Sequence, residues 1–274
     1  MENKNYIEFD ILGIKHSRLQ NTFVFAHDAV CEIRNDLFIE KIVVAADISK
    51  ATFYLKESLE ITDELALEIV EYLYSYLGSM MISLIKNSWM YSTVLLKPTI
   101  RVSVMHFVGN ERINSRINDY FALSDSIAVN HTLDDENSIL KKWIQDTKLL
   151  DYTTKKDKYD ILFLLLQGAD KVQKYMAMYA YLMGLVKEVY SETYERQKQV
   201  IQYVSDNCSR VGIPLTTSQS TRPGAKPTDK EDQFTALRNK IGHPSVKSGY
   251  IDVSEAAVNG LASIICCAIE DSPS

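Results

Sequence analysis

The hydrophobic positions of this chain recur at one period over the first fifty-five residues and at another over most of the rest. Tyr6–Leu12, Thr22–Ile33, Phe38–Ala45 and Ala51–Leu55 are short runs rich in β-branched and aromatic residues, punctuated by Gly13, Asn35-Asp36 and Ser49-Lys50. That pattern predicts a small antiparallel sheet. Thr62-Asp63 then offers a helix cap, with Glu64 and Glu68 in the first turns. Leu65, Ile69, Tyr72, Leu73, Tyr76, Leu77, Met80 and Leu84 follow at steps of three and four, which predicts a helix over residues 63–87. Ser92–Val108 returns to strand character, with an edge or a bulge at Pro98. Residues 110–135 form a polar run holding Asn114, Asn118, Asn130 and Asp134-Asp135, expected to close a first domain, 1–135.

From residue 136 onward the period is helical. Glu136–Leu150 places Ile139, Leu140, Trp143 and Ile144 on one side. A single long helix is expected over Lys156–Val189, with Ile161, Leu164, Leu165, Gly168, Val172, Tyr175, Met176, Tyr179, Leu182, Met183 and Val186 as its stripe. Tyr181 and Leu185 lie off that stripe, an excess that predicts a second buried surface and hence a homodimer through the helical half. Glu192–Cys208 reads as a further helix. Ser218–Asp232 has almost nothing apolar and is expected to be a mobile loop. Phe234–His243 is a short helix stopped by Gly242 and Pro244, and Val253–Ile269 closes the chain, capped by Asp252 or Ser254. The fold class is α+β: a mixed amino-terminal domain with a small antiparallel sheet, then an all-α bundle over 136–274.

Composition narrows the function. At 274 residues, the chain suits about two domains and can bury a core without staples. The net charge of −6 excludes a whole-protein basic field, so any nucleic-acid surface must be local. Cys31, Cys208, Cys266 and Cys267 form no CxxC pair and never cluster with histidine at ligand spacing. This predicts neither a disulfide framework nor a zinc site, and fits a reducing compartment. The amino terminus carries no secretory pattern, and the apolar stretches are too short or too interrupted to span a bilayer. A cytoplasmic protein without membrane attachment is the expectation.

One segment brings polar chemistry to a helix end: Leu237-Arg238-Asn239-Lys240-Ile241-Gly242-His243-Pro244. Asn239 and His243 are four apart and share a helix face, whereas Arg238 points about 140° away from His243 in an unbroken helix. Gly242 is expected to unwind the last turn and bring His243 round. The segment, set between the last two helices after a long helical pair and a polar loop, resembles the HEPN superfamily, whose signature is an Arg, a polar residue, a short spacer and a His. The resemblance covers residues 136–274. It implies a HEPN-like helical bundle and a dimeric, metal-independent endoribonuclease (an RNA-binding hydrolase) whose two motifs meet at the dimer interface. Many such proteins serve as toxins, in antiviral defence or growth arrest.

Under that resemblance Arg238, Asn239 and His243 are the catalytic candidates, with no cofactor and no metal. A His near pKa 6.5 exchanges the proton of the RNA 2′-hydroxyl, and a guanidinium clamps the scissile phosphate with two donors. Lys240, Arg222, Lys226, Lys230 and Lys247 are candidates for holding RNA phosphates. The first domain would then sense an unknown trigger ligand or protein. The same residues also suit a second reading. Arg238 can pair with Glu188, Glu192 or Glu195 to lock the bundle, and His243 can simply end a helix, giving a non-catalytic HEPN-fold dimerisation or binding protein, or the partner of a nucleotidyltransferase. Lys155-Lys156 and Lys158 can track phosphates or can be a solvated helix end.

Overall fold

The structure is a computed structural model and describes residues 5–11, 28–33, 36–45, 50–87, 94–98, 102–108, 111–118, 123–127, 149–166, 170–194, 196–220, 224–226, 228–243 and 251–274. The chain forms two compact units, Met1–Leu84 with Thr93–Thr153, and Ile85–Ser92 with Thr154–Ser274. The division therefore falls at Thr153/Thr154. The boundary expected at 135/136, and all but the end of the helix expected over Glu136–Leu150, lie outside the described residues.

The first unit is α+β. Its elements are β1 (Asn5–Ile11), β2 (Ala29–Glu32), β3 (Ile39–Val44), β4 (Lys50–Leu55), α1 (Asp63–Asn87, which the second unit takes over at Ile85), β5 (Val94–Pro98), β6 (Val102–Val108), β7 (Glu111–Asn118), β8 (Leu123–Ile127) and α2 (Leu149–Thr154). Six strands form one antiparallel sheet in the order β2-β3-β4-β1-β6-β7, while β5 pairs with β8 apart from it. Alternation sets the core face: Ile7 and Phe9 on β1 and Ala51, Phe53 and Leu55 on β4 are buried, and Ile7 stands opposite Phe53. The other face is polar, with Lys50 bonded to Glu8 at 2.7 Å. α1 buries Ile69, Leu73, Tyr76 and Leu77, and the Tyr76 ring meets Phe53 edge-on at 5.8 Å between centroids.

The polar run 110–135, expected to close the first domain and assigned no strand, supplies β7 and β8. Within the described sheet β7 is the last strand, paired only with β6, and such a strand is held by its backbone ladder with little need for apolar side chains. Pro98 falls where proline is tolerated, on a strand that among the described residues pairs with β8 alone.

The second unit is mainly helical: α3 (Lys156–Leu166), α4 (Lys171–Val189), α5 (Gln197–Asn207), a 3₁₀ turn (Cys208–Val211), β9 (Thr217–Gln219), β10 (Lys230–Asp232), α6 (Gln233–Gly242) and α7 (Glu255–Asp271). The long helix expected over 156–189 is two helices. Asp170 sits in extended backbone and accepts from the Gln173 amide at 2.7 Å, which starts α4 afresh. The helix expected from Glu192 begins at Gln197, leaving Tyr194 outside it and 72% exposed. Ser254 is the cap of α7.

α7 is apolar on nearly every side, and Val258 to Ile269 are all buried, so it is the central element of this unit. α4 contributes Tyr175, Met178, Tyr179 and Leu182 to the core. The two off-stripe residues are used inside the unit: Leu185 is buried, and the Tyr181 hydroxyl donates to the Lys158 carbonyl at 2.8 Å. They therefore leave no surplus to explain a second surface. The early lysines have structural partners. Lys155 Nζ donates to the carbonyls of Ile269, Glu270 and Ser272 at 2.9, 2.6 and 2.5 Å, closing the carboxy-terminal end of α7, and Lys158 bonds Glu188 at 2.7 Å.

Ser218–Asp232 is not wholly a loop. β9 and β10 pair antiparallel, Lys230 with Gln219 through Asp232 with Thr217. The anchors are polar: Ser220, Glu231 and Asp232 are all buried. A search for apolar anchors passes over such a hairpin. Among the described residues, no helix is long and apolar enough to cross a membrane.

Candidate functional site

The hairpin delivers the chain into α6 through Asp232, which is 0% exposed. Its Oδ1 accepts from the amides of Phe234 and Thr235 at 2.8 and 3.0 Å, and its Oδ2 from the Thr235 hydroxyl at 2.6 Å. These are two of the four orphan amides at a helix start. Burial raises the Asp232 pKa above its ordinary value, and the hydrogen bonds from Thr235 and Phe234 oppose that rise. α4 holds the other side of this turn. The Tyr175 hydroxyl donates to the Phe234 carbonyl at 2.9 Å, and the Tyr179 hydroxyl shares a 2.8 Å bond with Thr235 Oγ1. Gly260 of α7 allows the Phe234 ring to approach closely: a Cβ there would lie 3.1 Å from its tip.

On this fixed helix Asn239 is 2% exposed, Arg238 is half-buried, and His243 and Lys240 are exposed. Asn239 Oδ1 accepts from Gln197 Nε2 at 2.8 Å and from Arg238 Nη1 at 2.9 Å. Asn239 Nδ2 donates to Glu231 Oε1 at 2.9 Å, and the Ser220 hydroxyl donates to the same oxygen. Glu231 is 1% exposed, and its other oxygen, Oε2, has no hydrogen-bond partner. The Arg238 guanidinium carbon lies 5.9 Å from the centre of the Tyr179 ring, at the outer range of a cation–π contact.

Gly242 does not unwind the helix as expected. It is the last residue of α6, and the His243 amide still donates to the Asn239 carbonyl at 2.9 Å. The chain departs at His243 itself, with φ −131° and ψ 65°. Arg238 instead folds along the last turn, its Nη1 standing 4.0 Å from where a Cβ on Gly242 would be. The guanidinium therefore reaches the turn immediately preceding His243 through side-chain extension alone.

The structure thus brings together Arg238 and Asn239 directly, and places Arg238 beside the residue before His243. Lys226 and Lys230 are exposed on the hairpin segment, whereas Arg222 and Lys247 lie outside the described residues. Neither Glu188 nor Glu192 is tied to Arg238: Glu188 bonds Lys158, and Glu192 lies 3.8 Å from Arg196; Glu195 is outside the described residues. Sequence reasoning missed Glu231, Ser220 and Gln197. Glu231 in Lys230-Glu231-Asp232 has the look of a solvated charge run, and only its position beside a capping aspartate hints at burial. Among the described residues, no group of three His, Cys, Asp or Glu side chains could hold a metal ion.

No family model, curated protein or solved structure matches this chain.

Proposed function

We propose that this protein is a metal-independent endoribonuclease of the HEPN type, with Arg238 and His243 as its reacting pair and Asn239 as the residue that holds Arg238. The observation that carries the reading is the Arg238 guanidinium, bonded to Asn239 Oδ1 and standing 4.0 Å from the Cβ position of Gly242, the residue before an exposed His243. In the reaction, the 2′-hydroxyl oxygen of RNA attacks the adjacent phosphorus. The new O2′–P bond forms as the P–O5′ bond breaks. His243 takes the 2′ proton and passes a proton on to the departing O5′, while Arg238 donates to the phosphate oxygens as charge develops there. Lys240, Lys226 and Lys230 are exposed cations suited to RNA phosphates, and Arg222 and Lys247 are assigned the same role on sequence position alone.

The HEPN resemblance adds assembly as a homodimer in which two motifs share one groove, with the first domain receiving a trigger. Ile161 and Leu164 on α3, the latter 64% exposed, are candidates for the apolar part of such an interface. A non-catalytic binding protein is the second reading. It is favoured by the burial of Asn239 and the closure of its bonds within the chain, which suit a role in locking the hairpin to α6.

Product chemistry separates the two. RNA incubated with the protein in EDTA should give fragments ending in 2′,3′-cyclic phosphate and 5′-hydroxyl. A single 2′-deoxy substitution should abolish cleavage at that position. Cleavage that persists beside the 2′-deoxy nucleotide, or that stops in EDTA, would reject the mechanism.

A further inference from the structure

Resting on the reading of Arg238 as the phosphate clamp, we infer that Glu231 is a positioning residue for this site, setting Arg238 through the Asn239 side-chain amide. An amide has one accepting and one donating end, and the two are decided by what surrounds them. Asn239 faces two donors, Gln197 Nε2 and Arg238 Nη1, and one acceptor, Glu231 Oε1. Turned over, its NH₂ would meet both donors and its oxygen would meet a carboxylate. Among the described residues Glu231 is the acceptor at the Nδ2 end, so it holds Asn239 Oδ1 toward the guanidinium.

The carboxylate is itself confined. Glu231 is 1% exposed, lies in a paired strand next to the α6 cap, and takes the Ser220 hydroxyl on the same oxygen. Its second oxygen has no partner. Leaving a buried carboxylate oxygen unsatisfied costs stability. Its bonded oxygen, Oε1, ends a chain Glu231–Asn239–Arg238, in which each bond strengthens the next and the last member is a cation. Glu231 does not touch RNA in this account, because the whole side chain is covered.

The test compares the intact protein with Glu231→Leu and Glu231→Gln. Leu removes the acceptor, whereas Gln keeps an oxygen for Asn239 and Ser220 without the charge. In RNA cleavage, Glu231→Leu should lose roughly 100-fold in kcat, the scale on which small misplacements of a reacting group act, with little change in KM. Glu231→Gln should recover most of that loss. The second readout does not need cleavage. The Arg238 side-chain Nε–Hε resonance, assigned by its disappearance in Arg238→Lys, should be narrow and slow to exchange in the intact protein and in Glu231→Gln, and broadened or fast in Glu231→Leu. An unchanged Arg238 signal in a folded Glu231→Leu protein overturns the inference whatever the activity. So does a loss of cleavage in Glu231→Leu that Gln fails to rescue although both variants melt alike. If the intact protein cleaves no RNA but the Arg238 signal responds as expected, the positioning role stands and the nuclease reading fails.

Discussion

Asp232 is buried at the point where the chain enters the helix that carries the motif. Its three hydrogen bonds at the start of α6 hold that helix in place. Asp232→Ala should therefore cost about 1–2 kcal/mol in denaturant unfolding, the upper part of the range for a lost cap. The pH dependence has a definite sign. Burial puts the folded-state pKa above the ordinary 3.8, so folding takes up a proton. The Asp232 contribution is complete below pH 3.8 and is lost as the pH rises through the folded-state value. Asp232→Asn, which keeps an accepting oxygen, should lack that component of the slope, and an identical stability-versus-pH curve for the two proteins would show that burial does not shift this group. Residue roles of this kind are half legible. Caps at Thr62 and Ser254 read from sequence because the helix start beside them is plain, whereas the capping residues Asp232 and Asp170 fall in an expected loop and inside an expected helix. Glu231 and Gln197 are invisible, because nothing in a sequence distinguishes a solvated acid or amide from one that is covered by a neighbour far along the chain.

Elements followed the period of their apolar positions wherever that period was unambiguous. α1 spans Asp63–Asn87 as expected, since eight apolar residues at steps of three and four leave no competing pattern. The expected single helix over 156–189 failed because the stripe continues in phase across the break, and only Gly168 and Asp170 mark it. β7 and the β9–β10 hairpin failed for the opposite reason. Both are held by backbone pairing and polar anchors, which leave no hydrophobic period to read. Close packing between elements gives a sharper prediction. A Cβ on Gly78 of α1 would lie 2.6 Å from the buried Tyr152 ring of α2. Gly78→Ala should lower stability by about 1–3 kcal/mol despite the better helix propensity of alanine, because the ring is enclosed. A thermal melt at or above that of the unmodified protein would contradict this packing.

At the scale of the whole molecule, the α+β class and the order of a sheet-bearing unit followed by a helical one were both legible. They follow from composition and period without any single residue being decisive. The four cysteines share one environment: Cys31, Cys208, Cys266 and Cys267 are all buried. Burial pushes Cys208 and Cys267 up to about 11 and Cys266 upward as well. A thiol reagent at pH 8 should find almost no fast-reacting cysteine in the native protein and four after unfolding, whereas a rapid native reaction would place at least one thiol at the surface.

The assignment of function depends on two side chains. The most direct measurement is single-turnover cleavage of an end-labelled RNA by the intact protein, His243→Ala and Arg238→Lys, each checked for an unchanged melt. Loss of general acid–base catalysis should slow His243→Ala by about 10²–10⁴-fold. Arg238→Lys should also fail, because a point charge does not replace a planar two-donor fork. Cleavage by a folded His243→Ala protein at the unmodified rate would contradict the account.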